Sequence, residues 1–324
     1  MNRCAVGLAY ALAIVALGAC GGDDVTPGDA GPPDAGPPPR CAPLPTGDTR
    51  WAQYPMPGTP GHPRSYEVTG TPDSEAVIDC ATGLEWQRAV DPGIYTQADA
   101  GAYCDGLTLA GYTDWRLPSR VELVTLVNYA VAEPGPTIDA TAFPGTPGDV
   151  FWSASAAGGR SSAGWGVGFD RGYAFSGFNA ANTYRVRCVR GDDAVGIAMG
   201  APTGHFTDLR DATVRDNLTG LVWQQGFSPS IQVQAESVTY CSRLTVSRGG
   251  GWRLPTVAEL QTLVDEAAWR PSIDPAYFPS TPEEAFWSSS SAGGSPSKGW
   301  VVHFFFGDAF DTETTGNTRA RCVR

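Results

Sequence analysis

Apolar positions fall along the chain in two runs of the same internal order, and each run predicts the same succession of elements. Gln97 to Leu107 is Ala-rich with helical spacing and carries Tyr103-Cys104; Gln234 to Leu244, with Tyr240-Cys241, repeats it. Next comes Leu117-Pro118-Ser119-x-x-Glu122, mirrored by Leu254-Pro255-Thr256-x-x-Glu259. A hydroxyl residue three positions ahead of a glutamate is a capping box, which satisfies the free N–H groups of a helix start. Leu123, Leu126 and Val127, or Leu260, Leu263 and Val264, then supply the apolar face. Downstream the pattern turns strand-like. Phe151 to Ala154, Trp165 to Phe169 and Tyr184 to Val189 read as strands, matched by Phe286 to Ser289, Trp300 to Phe306 and Arg319 to Val323. Two helices followed by a short-stranded antiparallel sheet make an α+β plan, met twice.

Fixed identities accompany the pattern. Thr82-Gly83-Leu84-x-Trp86-Gln87, Trp115-Arg116-Leu117-Pro118, Ile138-Asp139, Phe143-Pro144, Phe151-Trp152-Ser153 and Arg187-Cys188-Val189-Arg190 form the first set. They return as Thr219-Gly220-Leu221-x-Trp223-Gln224, Trp252-Arg253-Leu254-Pro255, Ile273-Asp274, Phe278-Pro279, Phe286-Trp287-Ser288 and Arg321-Cys322-Val323-Arg324. The offset drifts only from 137 residues at Trp86 and Trp223 to 134 at Cys188 and Cys322, so a whole domain is duplicated in tandem. Tryptophans that recur at fixed spacing serve a core before they serve a sugar ring. Arg116 and Arg253, beside the capping glutamates, are expected in internal ion pairs, and Asp139 and Asp274 in Asx turns that fix a loop.

Ahead of the repeats, Met1 to Ala19 has a short region carrying Arg3, an apolar stretch and small residues before Cys20, which reads as a secretory signal. Leu17-Gly18-Ala19-Cys20 resembles the bacterial lipoprotein processing box, so Cys20 is expected to be lipidated, with the outer membrane favoured because Gly21 follows. Residues 20–61 are rich in Gly, Pro and Asp and poor in large apolar residues, as expected of an extended tether. Domains are expected at 62–191 and 204–324, with a linker at 192–203. The whole chain carries 22 basic and 34 acidic residues, a net charge of −12, which disfavours nucleic acid as a partner.

Eight cysteines less Cys4 in the signal and Cys20 leave six, an even number for an oxidising compartment. Cys104 and Cys241 are equivalent, as are Cys188 and Cys322, so the duplication argues for Cys104 with Cys188, Cys241 with Cys322, and Cys41 with Cys80. In the chain-entropy model each of the two equivalent bridges stabilises by about 4 kcal/mol. No clustered Cys or His suggests a metal, and no cofactor motif is present. The three histidines, His62, His205 and His303, include no duplicated acid–base group, so no catalytic residue is assigned.

The combination of Thr-Gly-Leu-x-Trp-Gln, Trp-Arg-Leu-Pro, Phe-Trp-Ser and Arg-Cys-Val-Arg resembles the Lcl C-terminal domain family, named for a bacterial collagen-like adhesin, over roughly 62–190 and 205–324. The order of Tyr-Cys and Arg-Leu-Pro-[Ser/Thr]-x-x-Glu also resembles the formylglycine-enzyme fold, which has a C-type lectin-like core. These resemblances imply two tandem lectin-like domains in a surface-anchored, non-catalytic adhesion module for a glycan or protein ligand. An enzyme related to the formylglycine generators and a structural envelope component are the alternatives. Lectin calcium motifs are not matched: Gly135 follows Glu133-Pro134, and neither copy has a later Trp-Asn-Asp.

The copies differ most on one strand. Val167 and Phe169, matched by Val302 and Phe304, keep a common core face, whereas Gly166, Gly168 and Asp170 become Val301, His303 and Phe305. So apolar a row marks an interface between the domains or a binding surface. The interface is the preferred expectation, because a partner in the same chain explains the row without a ligand.

Overall fold

The computed structural model describes Cys41 and residues 65–191, 204–246 and 249–324. The expected signal, lipid site Cys20, linker and, apart from Cys41, tether lie outside the described residues.

Each repeat opens with a small antiparallel sheet that the hydrophobic pattern did not predict. In repeat 1, β1 (Tyr66–Thr71), β2 (Ser74–Asp79) and β3 (Glu85–Gln87) form a meander closed by β7 (Val189–Arg190) from the far end of the repeat. Repeat 2 places β8 (Phe206–Asp208), β9 (Thr213–Asp216) and β10 (Val222–Gln224) likewise, with Val323 bridging Trp223. The Thr-Gly-Leu motif makes the turn before the third strand. Asp79 accepts from Ala81 N and Thr82 Oγ1, and Gly83 takes the left-handed conformation at φ +74°.

The expected helices are present as α1 (Gln97–Asp105), α2 (Arg120–Thr125), α3 (Gln234–Ser242) and α4 (Val257–Gln261). Both capping boxes form: Ser119 and Thr256 accept from the N–H groups of Glu122 and Glu259, whose carboxylates accept in return from Ser119 N and Thr256 N. Those carboxylates also take bidentate bonds from Arg116 (2.7 and 2.8 Å) and Arg253 (2.6 and 2.7 Å), the internal ion pairs expected.

The strands β4 (Val150–Ala156), β5 (Ala163–Gly168) and β6 (Tyr173–Asn179) of repeat 1 join β11 (Ala285–Ala292), β12 (Ser295–His303) and β13 (Asp308–Glu313) of repeat 2 in one six-stranded sheet, ordered β11-β12-β13-β6-β5-β4. The third strand of each set, β6 and β13, was not expected: Ser176 and Gly177 interrupt the alternation of β6, and β13 has only Ala309 and Phe310 as apolar residues. Tyr184–Val189 and Arg319–Val323, expected as strands, are largely irregular segments with isolated bridges to Tyr95, Arg116, Phe151 and their mates. Cys188 and Cys322, bonded to Cys104 and Cys241 on α1 and α3, tie these segments to the helices, and Cys41 is bonded to Cys80.

Trp86, Trp152, Trp165, Trp223, Trp287 and Trp300 are fully buried, and one continuous apolar core runs through both repeats. The seam is reciprocal, as in a two-fold dimer. The turn at Gly158-Gly159 lies against Ala267, Ala268 and Trp269 of repeat 2, while the turn at Gly293-Gly294 lies against Tyr129, Val131 and Ala132 of repeat 1. A Cβ on Gly293 would come 2.2 Å from the Val131 carbonyl oxygen, so only glycine permits this approach. Tyr129 meets Trp300 edge-on at 4.9 Å, and Arg120 lies 5.0 Å from the Trp165 ring.

Candidate functional site

Val301, His303 and Phe305 are divided by the structure. Val301 is buried in a second, smaller core of repeat 2 with Trp252, Trp287 and the Cys241–Cys322 bridge. His303 and Phe305 stay half-buried, and their ring partners, Phe306 and Phe310, all belong to repeat 2. The contact between repeats is built from the glycine turns, α2, α4 and the β6–β13 pairing instead.

His303 and Phe305 belong to a chain of rings. Phe310 stacks on His303 at 6.5 Å, His303 meets Phe305 at 6.3 Å, and Phe305 meets Phe306 edge-on at 4.1 Å. Phe306 lies parallel to Trp269, 6.5 Å away, and Trp269 is 44% exposed. Two guanidinium groups cover this row: Arg270 sits 4.3 Å from the Phe305 ring and 5.0 Å from Trp269, and Arg160 reaches from repeat 1 to 3.5 Å above Phe306. Such placement gains from the ring quadrupoles while leaving the N–H edges of each guanidinium for another acceptor. The packing demands Gly159, in the left-handed region at φ +69°, since a Cβ there would fall 2.2 Å from the Trp269 Nε1.

Repeat 1 lacks this row at the equivalent positions. Gly168, Asp170 and Arg171 stand where repeat 2 has His303, Phe305 and Phe306, and Arg171 lies 3.8 Å from both the Asp170 and Glu133 carboxylates. Gly135 donates to the Asp170 carbonyl as Arg270 donates to that of Phe305, so Arg270 replaces a glycine. A group of one guanidinium and two carboxylates in one copy is thus an aromatic and guanidinium surface in the other.

Burial shapes the titration beside this row. It pushes the His303 pKa down, against the opposing pull of Asp308 and Glu284, and pushes the Asp308 carboxyl up, against hydrogen bonds from Ser176 and the charges of Arg160 and His303. Trp269, Arg270, Phe306, Phe310 and Arg160 were not picked out from the sequence. The signal available was Trp269-Arg270-Pro271 in a loop two residues shorter than its counterpart, together with the run Phe304-Phe305-Phe306.

The other sequence-marked residues are absorbed by structure. Asp139 accepts from Thr141 N and Ala142 N, and Asp274 from Ala276 N, as Asx turns. Trp115 is buried against the Cys104–Cys188 bridge. A hollow beside Val238, Leu254 and Ser289 is floored by the Arg253–Glu259 pair. A second, between Asp73, Leu109 and Pro144, holds the Arg88–Glu75 pair and Gln87, which donates to the Tyr103 hydroxyl. Among the described residues no three His, Cys, Asp or Glu converge as a metal site, and no helix is long and apolar enough to cross a membrane.

No protein of curated function matches the chain. The profile of the Lcl C-terminal domain family matches it twice, over 75–190 and 212–324, leaving the first strand of each small sheet, β1 and β8, ahead of the matched span. The two matches cover the helices, both halves of the six-stranded sheet and the paired cysteines of each repeat, and the chain belongs to the Lcl C-terminal domain family as a tandem pair.

Proposed function

We propose that this protein is a surface-anchored lipoprotein whose paired domains form a non-catalytic module binding a glycan or a protein partner. The family points to an adhesin-like surface module. The observation that carries the reading is the aromatic row of repeat 2, open at Trp269 and covered by Arg160 and Arg270. Ring faces stack on sugar C–H groups or side chains, and guanidinium edges take carboxylate or amide oxygens. The mixed helix-and-sheet build of each domain supports a C-type lectin-like plan. Cys41, Cys80, Cys104, Cys188, Cys241 and Cys322 are all bonded in pairs, which supports binding over thiol chemistry of the formylglycine type.

Glycan-array and pull-down screening of residues 62–324 tests the reading. Trp269→Ala and Phe305→Asp should each abolish capture while leaving the circular dichroism spectrum unchanged; capture unaffected by both would remove the row from the site. Anchoring is tested separately. Cys20→Ser should move the protein from the membrane to the soluble fraction, since stable anchoring needs two or more acyl chains; retention at the membrane would refute the lipoprotein reading.

A further inference from the structure

The seam between the repeats contains a buried polar group that breaks its two-fold symmetry. Arg120, fully buried on α2, donates through Nε to Glu266 Oε1 at 2.6 Å, and its side chain and that of Glu266 are 0% and 1% exposed. Its other two nitrogens donate to Gln261, one to Oε1 and one to the main-chain oxygen, both at 3.2 Å, and Gln261 Nε2 donates to the Tyr129 hydroxyl at 3.1 Å. None of these positions keeps its chemistry in the other copy. Counting from the shared capping boxes, Arg120 corresponds to Val257, Gln261 to Val124, and Glu266 to Tyr129.

The apolar part of the seam distinguishes the two repeats less sharply. The glycine turns, Trp165 and Trp300, and the Ala174–Ala309 strand pairing recur on both sides, although Gly159 meets Trp269 where Gly294 meets Ala132, and Asp308 accepts from Ser176 without a counterpart in the other copy. Two copies of repeat 1 joined this way would bury two Arg120 side chains opposite Tyr129 and Val124, with no carboxylate at either. Two copies of repeat 2 would bury two Glu266 carboxylates opposite Val257, with no cation. Removing one member of a buried ion pair is strongly destabilising, whereas replacing both by apolar groups is close to neutral. The pair therefore adds little to affinity and much to discrimination. We propose that Arg120 and Glu266 are a recognition pair that makes the inner face of repeat 1 accept repeat 2 and reject another repeat 1, and the converse, so that the two halves find each other in a membrane crowded with identical chains.

All three disulfides close within a single repeat, so a cut between 192 and 203 leaves no covalent link between halves. The full chain is folded with a protease site in that segment, cut, equilibrated at low micromolar concentration, and read by native mass spectrometry. Wild type should give only the 1·2 pair. Arg120→Met combined with Glu266→Met should give 1·1 and 2·2 pairs beside 1·2. Halves that separate on cutting, homotypic pairs in statistical proportion in wild type, or a double variant confined to 1·2 would each overturn the proposal. Should the double variant not fold, Glu266→Gln decides: it keeps shape and acceptor but strands the buried guanidinium, and should weaken the cut pair by about a hundredfold. Association equal to wild type would overturn the proposal.

Discussion

Arg187 and Arg321 carry the most chemistry per residue outside the aromatic row. Both are fully buried inside phenylalanine cages, 4.6 Å from Phe143 and 4.8 Å from Phe278, and burial pushes each guanidinium down to about 9. They remain charged at neutral pH and act as joints. Arg187 donates to the carbonyls of Gln87 and Arg88 and to Thr146 Oγ1, tying the end of β3 to the Phe-Pro loop, and Arg321 does the same through Gly226 and Thr281. Charged hydrogen bonds are worth about 1.5–3 kcal/mol each, and their loss leaves buried acceptors unpaired. Arg187→Met should therefore lower urea stability by about 3 kcal/mol or more, with disulfides intact; a loss under about 1 kcal/mol would mean the cage, not the bonds, holds the loop.

At the scale of elements, α2 and α4 are only 6 and 5 residues long, too short to persist by propensity. Capping boxes and burial of nearly every side chain hold them in place. Ser119→Ala removes the acceptor for Glu122 N and should cost about 1 kcal/mol. Amide exchange should speed up chiefly across α2, since the bidentate Arg116–Glu122 pair persists; equal acceleration in both repeats would show that α2 has no separate stability. Gly293→Ala is the sharper change, because the added Cβ collides with main chain and not with a movable side chain. It should lower the melting temperature of the whole molecule, and an unchanged midpoint would mean the two repeats melt independently.

Across the whole molecule the six-stranded sheet is continuous, yet β6 and β13 are matched through a single residue pair, Ala174 and Ala309. Beside it Asp308 accepts from both the N–H and the hydroxyl of Ser176, each at 2.8 Å. Its carboxyl is raised above the usual 3.8 because burial outweighs those bonds. A raised folded-state value gives stability that is present below the unfolded value and lost as pH rises through the folded one. The native state thus loses stability upward from about pH 3.8 through this group. Asp308→Asn keeps an acceptor for Ser176 without the charge, so its stability relative to wild type should improve from pH 3.5 to 7 in urea titrations. A relative stability that is flat or falls with pH would mean that the Asp308 charge is paid for by Arg160 and His303.

The duplication, the caps, the ion pairs of Arg116 and Arg253, the Asx turns and the burial of the repeated tryptophans were legible in the sequence, because each depends on neighbours a few residues away or on spacing that two copies confirm. Val301, His303 and Phe305 stood out for the same reason, as departures from a shared alternation. What covers them was not legible. Alternation assigns a face but not the element packed against it, so Val301 proved to be core while Phe305 stayed beside Trp269 and Arg270, brought near by a loop from another part of the repeat. The small opening sheets escaped because their third and fourth strands are two or three residues long and are joined by hydrogen bonds to segments about a hundred residues away. Only the tertiary structure could decide that the two repeats share one core: Arg120 and Glu266 lie 146 positions apart, and nothing local to either marks it as the partner of the other.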